Sequence, residues 1–158
     1  MRMNISPTPK LTSAETLASY PPGDALTKSQ GPAWRDVQMS VFSLSSDEEP
    51  FDMPAVSEPF IVWIVAGEAQ TEERELGGAW LTTHIRPGSL FLTMAGAPYT
   101  FKWRRLSAEP LEVVLLLLGM PIFDAALQEV HGERSQEAHF RNMSGTEDAK
   151  LGDYRRQR

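Results

Sequence analysis

From Phe60 to Trp103 the chain alternates short apolar runs with turn residues, and this rhythm sets the expected fold. Four runs (Phe60 to Ala66, Ala79 to Ile85, Ser89 to Met94, Tyr99 to Trp103) are rich in β-branched and aromatic residues. Gly67, Gly77-Gly78, Pro87-Gly88 and Ala95-Gly96-Ala97-Pro98 separate them. Short strands at such spacing predict an all-β sandwich or barrel, not alternating β and α units. Phe60 to Ala66 is apolar on both parities, so both of its faces should be covered. Glu68 to Glu75 is polar and acidic and reads as an exposed hairpin connection closed by Gly77-Gly78. Pro87-Gly88 is a tight turn, with proline presetting the backbone and glycine accepting a positive φ.

The flanks frame this barrel. In Trp34 to Leu44, Val37, Met39 and Val41 alternate with Asp36, Gln38 and Ser40, which predicts a strand with one wet face. Ser45 to Pro50 is an acidic turn, and Pro54 and Pro59 limit Phe51 to Pro59 to an edge or a connecting loop. Leu111 to Gly119 reads as the last barrel strand, although period alone also allows a helix. After Pro121, the residues Ile122, Phe123, Ala126, Leu127 and Val130 recur at helical spacing, with Gly132 placed as the C-terminal cap. That stripe is expected to pack on the barrel. Gly132 to Met143 reads as a linker, and Ser144 to Glu147 as a capping box opening a short helix that runs to Arg158.

Residues 1–33 hold five of the twelve prolines and show no sustained period, which predicts an extended arm. A short helix from Thr12 to Leu17, capped by Thr12 and Glu15, fits inside it. The expected organisation is a Pro-rich arm over 1–33, a barrel over 34–119, and C-terminal helices with a linker over 120–158.

Composition narrows the chemistry. A chain of 158 residues with 41% hydrophobic content can bury a core without disulfides or a structural metal. Cysteine is absent, which excludes thiolate catalysis and thiolate-bound zinc. The longest apolar run, Val113 to Leu118, is far short of the ~20 residues of a membrane-spanning helix. The opening MRMNISPTPK lacks the apolar stretch of a secretory signal, so cytoplasmic residence and no membrane partner are expected. A formal charge of −6 disfavours direct binding to a phosphate backbone. Arg155, Arg156 and Arg158 then read as solvated charges.

Only His84, His131 and His139 could supply imidazole ligands, and no short paired spacing links them, so neither a metal nor another cofactor is expected. There is no G-x-S-x-G elbow, and Ser57 and Ser89 have no nearby base. The acidic runs Asp47-Glu48-Glu49 and Glu72-Glu73-Glu75 read as solvated hairpin tips, and no phosphate-cradling glycine loop occurs. The chain is therefore expected not to be an enzyme. What remains is a pocket. Odd positions of the strand at 99–103 put Tyr99, Phe101 and Trp103 on one face. Even positions of the strand before Pro87 put Trp80, Thr82 and His84 on another, and Trp63 shares the parity of Ile61 and Val65. If these faces point inward they form a ring-rich ligand-binding site for an apolar or sugar-like molecule, oriented by Thr82 and His84. A fully packed core is the other reading of the same residues.

The order of these features resembles a known family. A strand with Trp34 at its start is followed by an apolar strand ending at Gly67-Glu68 and by the Pro87-Gly88 turn. A hydrophobic strand leads to Gly96-Ala97-Pro98 and the aromatic strand Tyr99 to Trp103. A long apolar strand and the helix Pro121-Ile122-Phe123 to Val130 close the series. Over roughly 34–154 this is similar to the N-terminal sensor domain of AraC-type transcription regulators, a cupin-like double-stranded β-helix or jelly-roll barrel. The stretch GTEDAKLGDY is similar to the segment leading to a helix-turn-helix module in such regulators. The resemblance implies a small-molecule effector, a homodimer contact through the helices after the barrel, and DNA contact only indirectly, through a helix-turn-helix module beyond this sequence. It departs from enzymatic cupins, whose closely paired histidines and later third histidine have no counterpart around His84 and Pro87-Gly88. A stand-alone cupin enzyme or small-molecule-binding protein is the alternative, and a purely structural dimerisation module a third.

Overall fold

Leu111–Leu118, the most apolar run of the chain, is a strand with neighbours on both sides, and the larger of two sheets is built around it. The computed structural model describes residues 24–34, 36–44, 50–93, 98–138 and 142–147. In chain order its strands are β1 (Asp24–Lys28), β2 (Val37–Leu44), β3 (Phe51–Met53), β4 (Phe60–Ala66) and β5 (Ala69–Glu75). Then come β6 (Leu81–Ile85), β7 (Ser89–Thr93), β8 (Tyr99–Arg105), β9 (Leu111–Leu118), the helix α1 (Met120–His131) and β10 (Met143–Glu147). The six-stranded sheet runs β1-β2-β9-β4-β7-β10, and the four-stranded sheet runs β3-β8-β5-β6. Every recorded pairing is antiparallel.

The two sheets face each other across a shared apolar core. Phe42, Phe60, Ile64, Phe91, Leu111 and Leu115 come from the larger sheet, and Met53, Ile85 and Trp103 from the smaller. Phe60, Ile64 and Ile85 are each 1% exposed. Full burial of such side chains contributes roughly 1.5–3 kcal/mol apiece, so this interface dominates the stability of the fold. The ambiguity over Leu111 to Gly119 resolves as a strand. Val113 and Val114 suit a pleated surface, and β2 and β4 satisfy the backbone from both sides, with Val41 opposite Val114 and Val62 opposite Leu115.

Four expectations are corrected. Ala69–Glu75, expected as a hairpin connection, is the strand β5 and lies inside the smaller sheet between β8 and β6. Its alternation explains this: Ala69 and Thr71 are buried, while Gln70 and Glu72 stand on the outer face. The end of the expected arm is also a strand, β1, paired with β2 at the sheet edge with an irregularity between Ala25 and Thr27. Ser29 prolongs this ladder, its N–H donating to the Met39 carbonyl at 2.8 Å and its Oγ accepting from the Met39 N–H at 3.0 Å.

The helix α1 forms as expected, with Pro121 in its first turn and Gly132 ending it at φ 54, a backbone conformation that favours glycine. Its apolar stripe is not buried against the barrel, however. None of its residues is buried, and Ile122 and Val130 are 40% and 73% exposed among the described residues. The 3-10 turn Gly132–Glu137 folds back on α1, where the Gln128 amide donates to Ser135 Oγ at 2.6 Å.

The capping box expected at Ser144 to Glu147 is instead the strand β10, paired with β7. The expected helix at Thr12–Leu17, the turns over 45–49 and 95–97, and the helix running to Arg158 lie outside the described residues.

Candidate functional site

Strand β8 carries the site. Its odd positions Tyr99, Phe101 and Trp103 point between the sheets, as their spacing predicts, because the even positions Thr100, Lys102 and Arg104 take the outer face. Phe51 meets Phe101 and Trp103 edge-on at 5.8 Å and 5.9 Å between ring centroids, and Phe91 meets Phe101 the same way at 6.3 Å. These tilted pairs match the ring quadrupoles and add to the burial energy.

The rings do not fill the barrel. A cavity of about 80 Å³ remains, walled by Phe42, Leu44, Val62, Ile64, Phe91 and Leu115 on one side and by Phe51, Met53, Ile85, Phe101 and Trp103 on the other. That is more than one water occupies, at ~30 Å³ each, and well below the ~300 Å³ of a drug-sized site. The Trp103 ring is 4% exposed, and its Nε1–H is a buried donor with no partner among the described residues. A buried donor left unpaired is costly.

A more polar mouth of about 380 Å³ lies at one end of the sandwich and shares Glu73, Thr93 and Tyr99 with the lining of the cavity. The end of β7, the start of β8, the second half of β5 and the start of β10 converge there. The Ser144 hydroxyl donates to Glu73 Oε1. Burial pushes the Tyr99 hydroxyl pKa well above its ordinary value of 10.0, the Glu73 charge raises it further, and a hydrogen bond with Thr93 opposes both. The phenol therefore stays protonated across the physiological range.

The other expected site residues lie elsewhere. Trp80, Thr82 and His84 are on the outer face of the smaller sheet, which corrects the inward orientation read from their parity. The inward positions of β6 belong to Thr83, which is packed against Gly145, and to buried Ile85. Arg74 Cζ and Lys102 Nζ each lie 4.5 Å from the Trp80 ring centroid, and Lys102 Nζ also pairs with Glu72 at 3.0 Å. His84 Nε2 lies 2.5 Å from Glu68 Oε1. Thr100 donates to Asp52 at 2.8 Å and Arg104 to Gln70 at 3.1 Å, so cross-strand polar pairs cover this face. Trp63 is half-buried on the face of β4 opposite Val62 and Ile64, away from the cavity. Among the described residues no group of three histidines or carboxylates converges as a metal site would require. His139 lies outside them.

Sequence alone reads Glu73 as part of a solvated hairpin tip and Ser144 as part of a capping box, which the structure corrects, and it gives no sign of Thr93. The one available signal was the alternation Ala69, Thr71, Glu73 against Gln70, Glu72, Arg74, which places Glu73 on the inner face of a strand.

No protein-family model and no curated protein matches the chain. Solved structures do. ToxT from Vibrio cholerae matches with a TM-score of 0.54 at 14% identity, over 78% of this chain and 47% of that one. The Cnp3 cupin domain from Schizosaccharomyces pombe matches with a TM-score of 0.45 at 13% identity, over 71% and 67%. Oxalate decarboxylase from Bacillus subtilis matches with a TM-score of 0.43 at 12% identity, over 77% and 37%. The chain thus spans about half the length of ToxT. The expectation that the chain is not an enzyme is corrected by the same matches. They include oxalate decarboxylases and a protein with 2-hydroxyethylphosphonate and Fe(II) bound, and they show neither that this chain is an enzyme nor that it is not. With two antiparallel sheets facing each other, one helix after them among the described residues, and a fold shared with ToxT, the chain is a cupin-like β-sandwich.

Proposed function

We propose that this barrel is the effector-sensing part of an AraC-type transcription regulator, taking a small, mainly apolar molecule into the cavity between its sheets. The observation that carries this reading is the aromatic-walled cavity that shares Glu73, Thr93 and Tyr99 with a more polar mouth. An apolar interior with a few convergent polar groups is the usual make-up of a small-molecule site. The order of motifs resembling AraC-type sensors supports it, as does the fold shared with ToxT, an AraC-type regulator. Signalling would follow from differential affinity, since a ligand shifts an equilibrium only by binding one state more tightly than the other. A homodimer, and DNA contact through a separate helix-turn-helix module, belong to this proposal. The apolar residues that α1 leaves exposed are compatible with a subunit contact.

The test is titration with 1-decanol, a slim neutral amphiphile, followed by tryptophan fluorescence. Saturable binding that Leu115→Phe weakens by about tenfold or more, in a variant that still unfolds cooperatively, supports the cavity as the site. No saturable binding, or binding indifferent to Leu115→Phe, overturns it.

A further inference from the structure

We propose that the mouth selects its ligand by a cationic or hydrogen-bond-donating head group, an alkylamine in preference to an alkyl carboxylate, with Glu73 as the head-group receptor. This rests on the reading of the barrel as a small-molecule site and adds the chemical class of the molecule.

Among the described residues Glu73 is the one charged side chain that lines the cavity, and it also lines the mouth, so its carboxylate stands where an apolar chain would give way to a polar head. The hydroxyl of Ser144 occupies part of its accepting capacity. A carboxylate offers about four acceptor sites, which leaves room for further donors. Among the described residues the other charges at the mouth do not offset it. Arg74 holds its guanidinium 4.5 Å from the Trp80 ring on the outer face, and Glu75 on the exposed rim adds a second negative charge. Tyr99 and Thr93 bring hydroxyls that serve a neutral or cationic head as acceptors. A carboxylate head at this position would face Glu73 as a like charge in a partly desolvated site, the arrangement that most strongly suppresses a wrong partner.

A second observation concerns the body of the ligand. Trp103 lines the same cavity, and its Nε1–H is buried without a partner among the described residues. A chain carrying an acceptor oxygen, such as an ether or carbonyl, would satisfy it. The two groups together describe a slim molecule with a donor at its head and an acceptor within its apolar body.

The experiment compares decylamine, decanoate and 1-decanol on the full chain below their micellar concentrations, with Glu73→Gln and Glu75→Gln as variants. Decylamine is expected to bind about tenfold or more tightly than decanoate. Glu73→Gln should shrink that gap to about threefold or less while 1-decanol binding is kept, and Glu75→Gln should leave the gap in place. Decanoate binding as tightly as decylamine, or a gap that Glu75→Gln removes as fully as Glu73→Gln, overturns the head-group assignment while 1-decanol binding keeps the cavity. If none of the three binds, the cavity reading falls and this inference falls with it. Glu73→Asp, which keeps the charge, should restore at least part of the amine preference, and its failure to do so counts against a charge-based receptor.

Discussion

The Ser144 hydroxyl donates a hydrogen bond to the Glu73 carboxylate across 71 residues of sequence, joining the last strand of one sheet to an inner strand of the other. This contact depends on the irregular register of β10 against β7 between Met143 and Thr146. Gly145 sits in that irregularity at φ 64, and a Cβ there would run into the Thr83 side chain of β6. One extra residue in a strand bends it and re-aims its side chains, which here turns Ser144 toward the mouth.

Gly145→Ala is therefore expected to destabilise the fold by roughly 1–3 kcal/mol, from backbone strain together with the clash. Ser144→Ala should cost less, about 1 kcal/mol, since the half-buried carboxylate can recruit water. Urea unfolding of the two variants beside the parent chain checks both. A Gly145→Ala variant as stable as the parent would mean that β10 does not close this end of the barrel.

Trp103 gives a prediction of the opposite kind. Trp103→Phe keeps a ring against Phe51 and removes a buried donor that has no partner among the described residues, so it should change stability by less than about 1 kcal/mol. Trp103→Ala should cost roughly 3–5 kcal/mol, because the enlarged cavity has little to collapse into it. Chemical denaturation separates the two. A loss above about 2 kcal/mol in Trp103→Phe would show that the Nε1–H is satisfied in solution.

Particular strands show what the sequence could and could not reveal. In β8 the alternation is one-sided, aromatic at odd positions and polar or charged at even ones, so Tyr99, Phe101 and Trp103 were legible as the inner face. In β4 every position is apolar, and parity carried no information: Val62 and Ile64 face the cavity while Trp63 does not. At β6 a large ring just before the strand, Trp80, outweighed the better clue, Ile85, whose parity marks the inner face. The strand β5 was hidden by its acidity, although an outer sheet face covered by cross-strand pairs tolerates that composition. In β10 a Ser-Gly-Thr-Glu run carries the local chemistry of a helix start, and the pairing with β7 overrides it. The residues missed at the mouth, Glu73 and Ser144, are those on the two strands that local pattern misassigned.

His84 and Glu68 form a contact of 2.5 Å on the exposed outer face, with side-chain exposures of 55% and 43%. Water and salt screen such pairs, so His84→Ala should alter stability by no more than about 0.5 kcal/mol. It should also leave ligand binding unchanged, because His84 does not line the cavity or the mouth. Isothermal titration with 1-decanol and a thermal melt check the two halves. A tenfold loss of affinity would place His84 at the site after all.

Tyr99 makes the fold sensitive to alkali in a way that one substitution isolates. Its pKa is raised in the folded chain above the ordinary value of 10.0, by burial first and by the Glu73 charge second. Folding therefore keeps a proton that the unfolded chain releases, and stability falls as pH rises where the unfolded state binds fewer protons. The contribution of Tyr99 is fully present below its unfolded pKa and is lost progressively as pH climbs past about 10 toward the folded value. Urea unfolding at steps from about pH 8 to pH 11.5 should show a decline above about pH 10 that Tyr99→Phe makes shallower. Tyr20 and Tyr154 are common to both proteins, so the difference between the two curves belongs to Tyr99. Superimposable curves would mean that the Tyr99 hydroxyl is solvated in the folded state, and that the mouth is open to bulk water down to the start of β8.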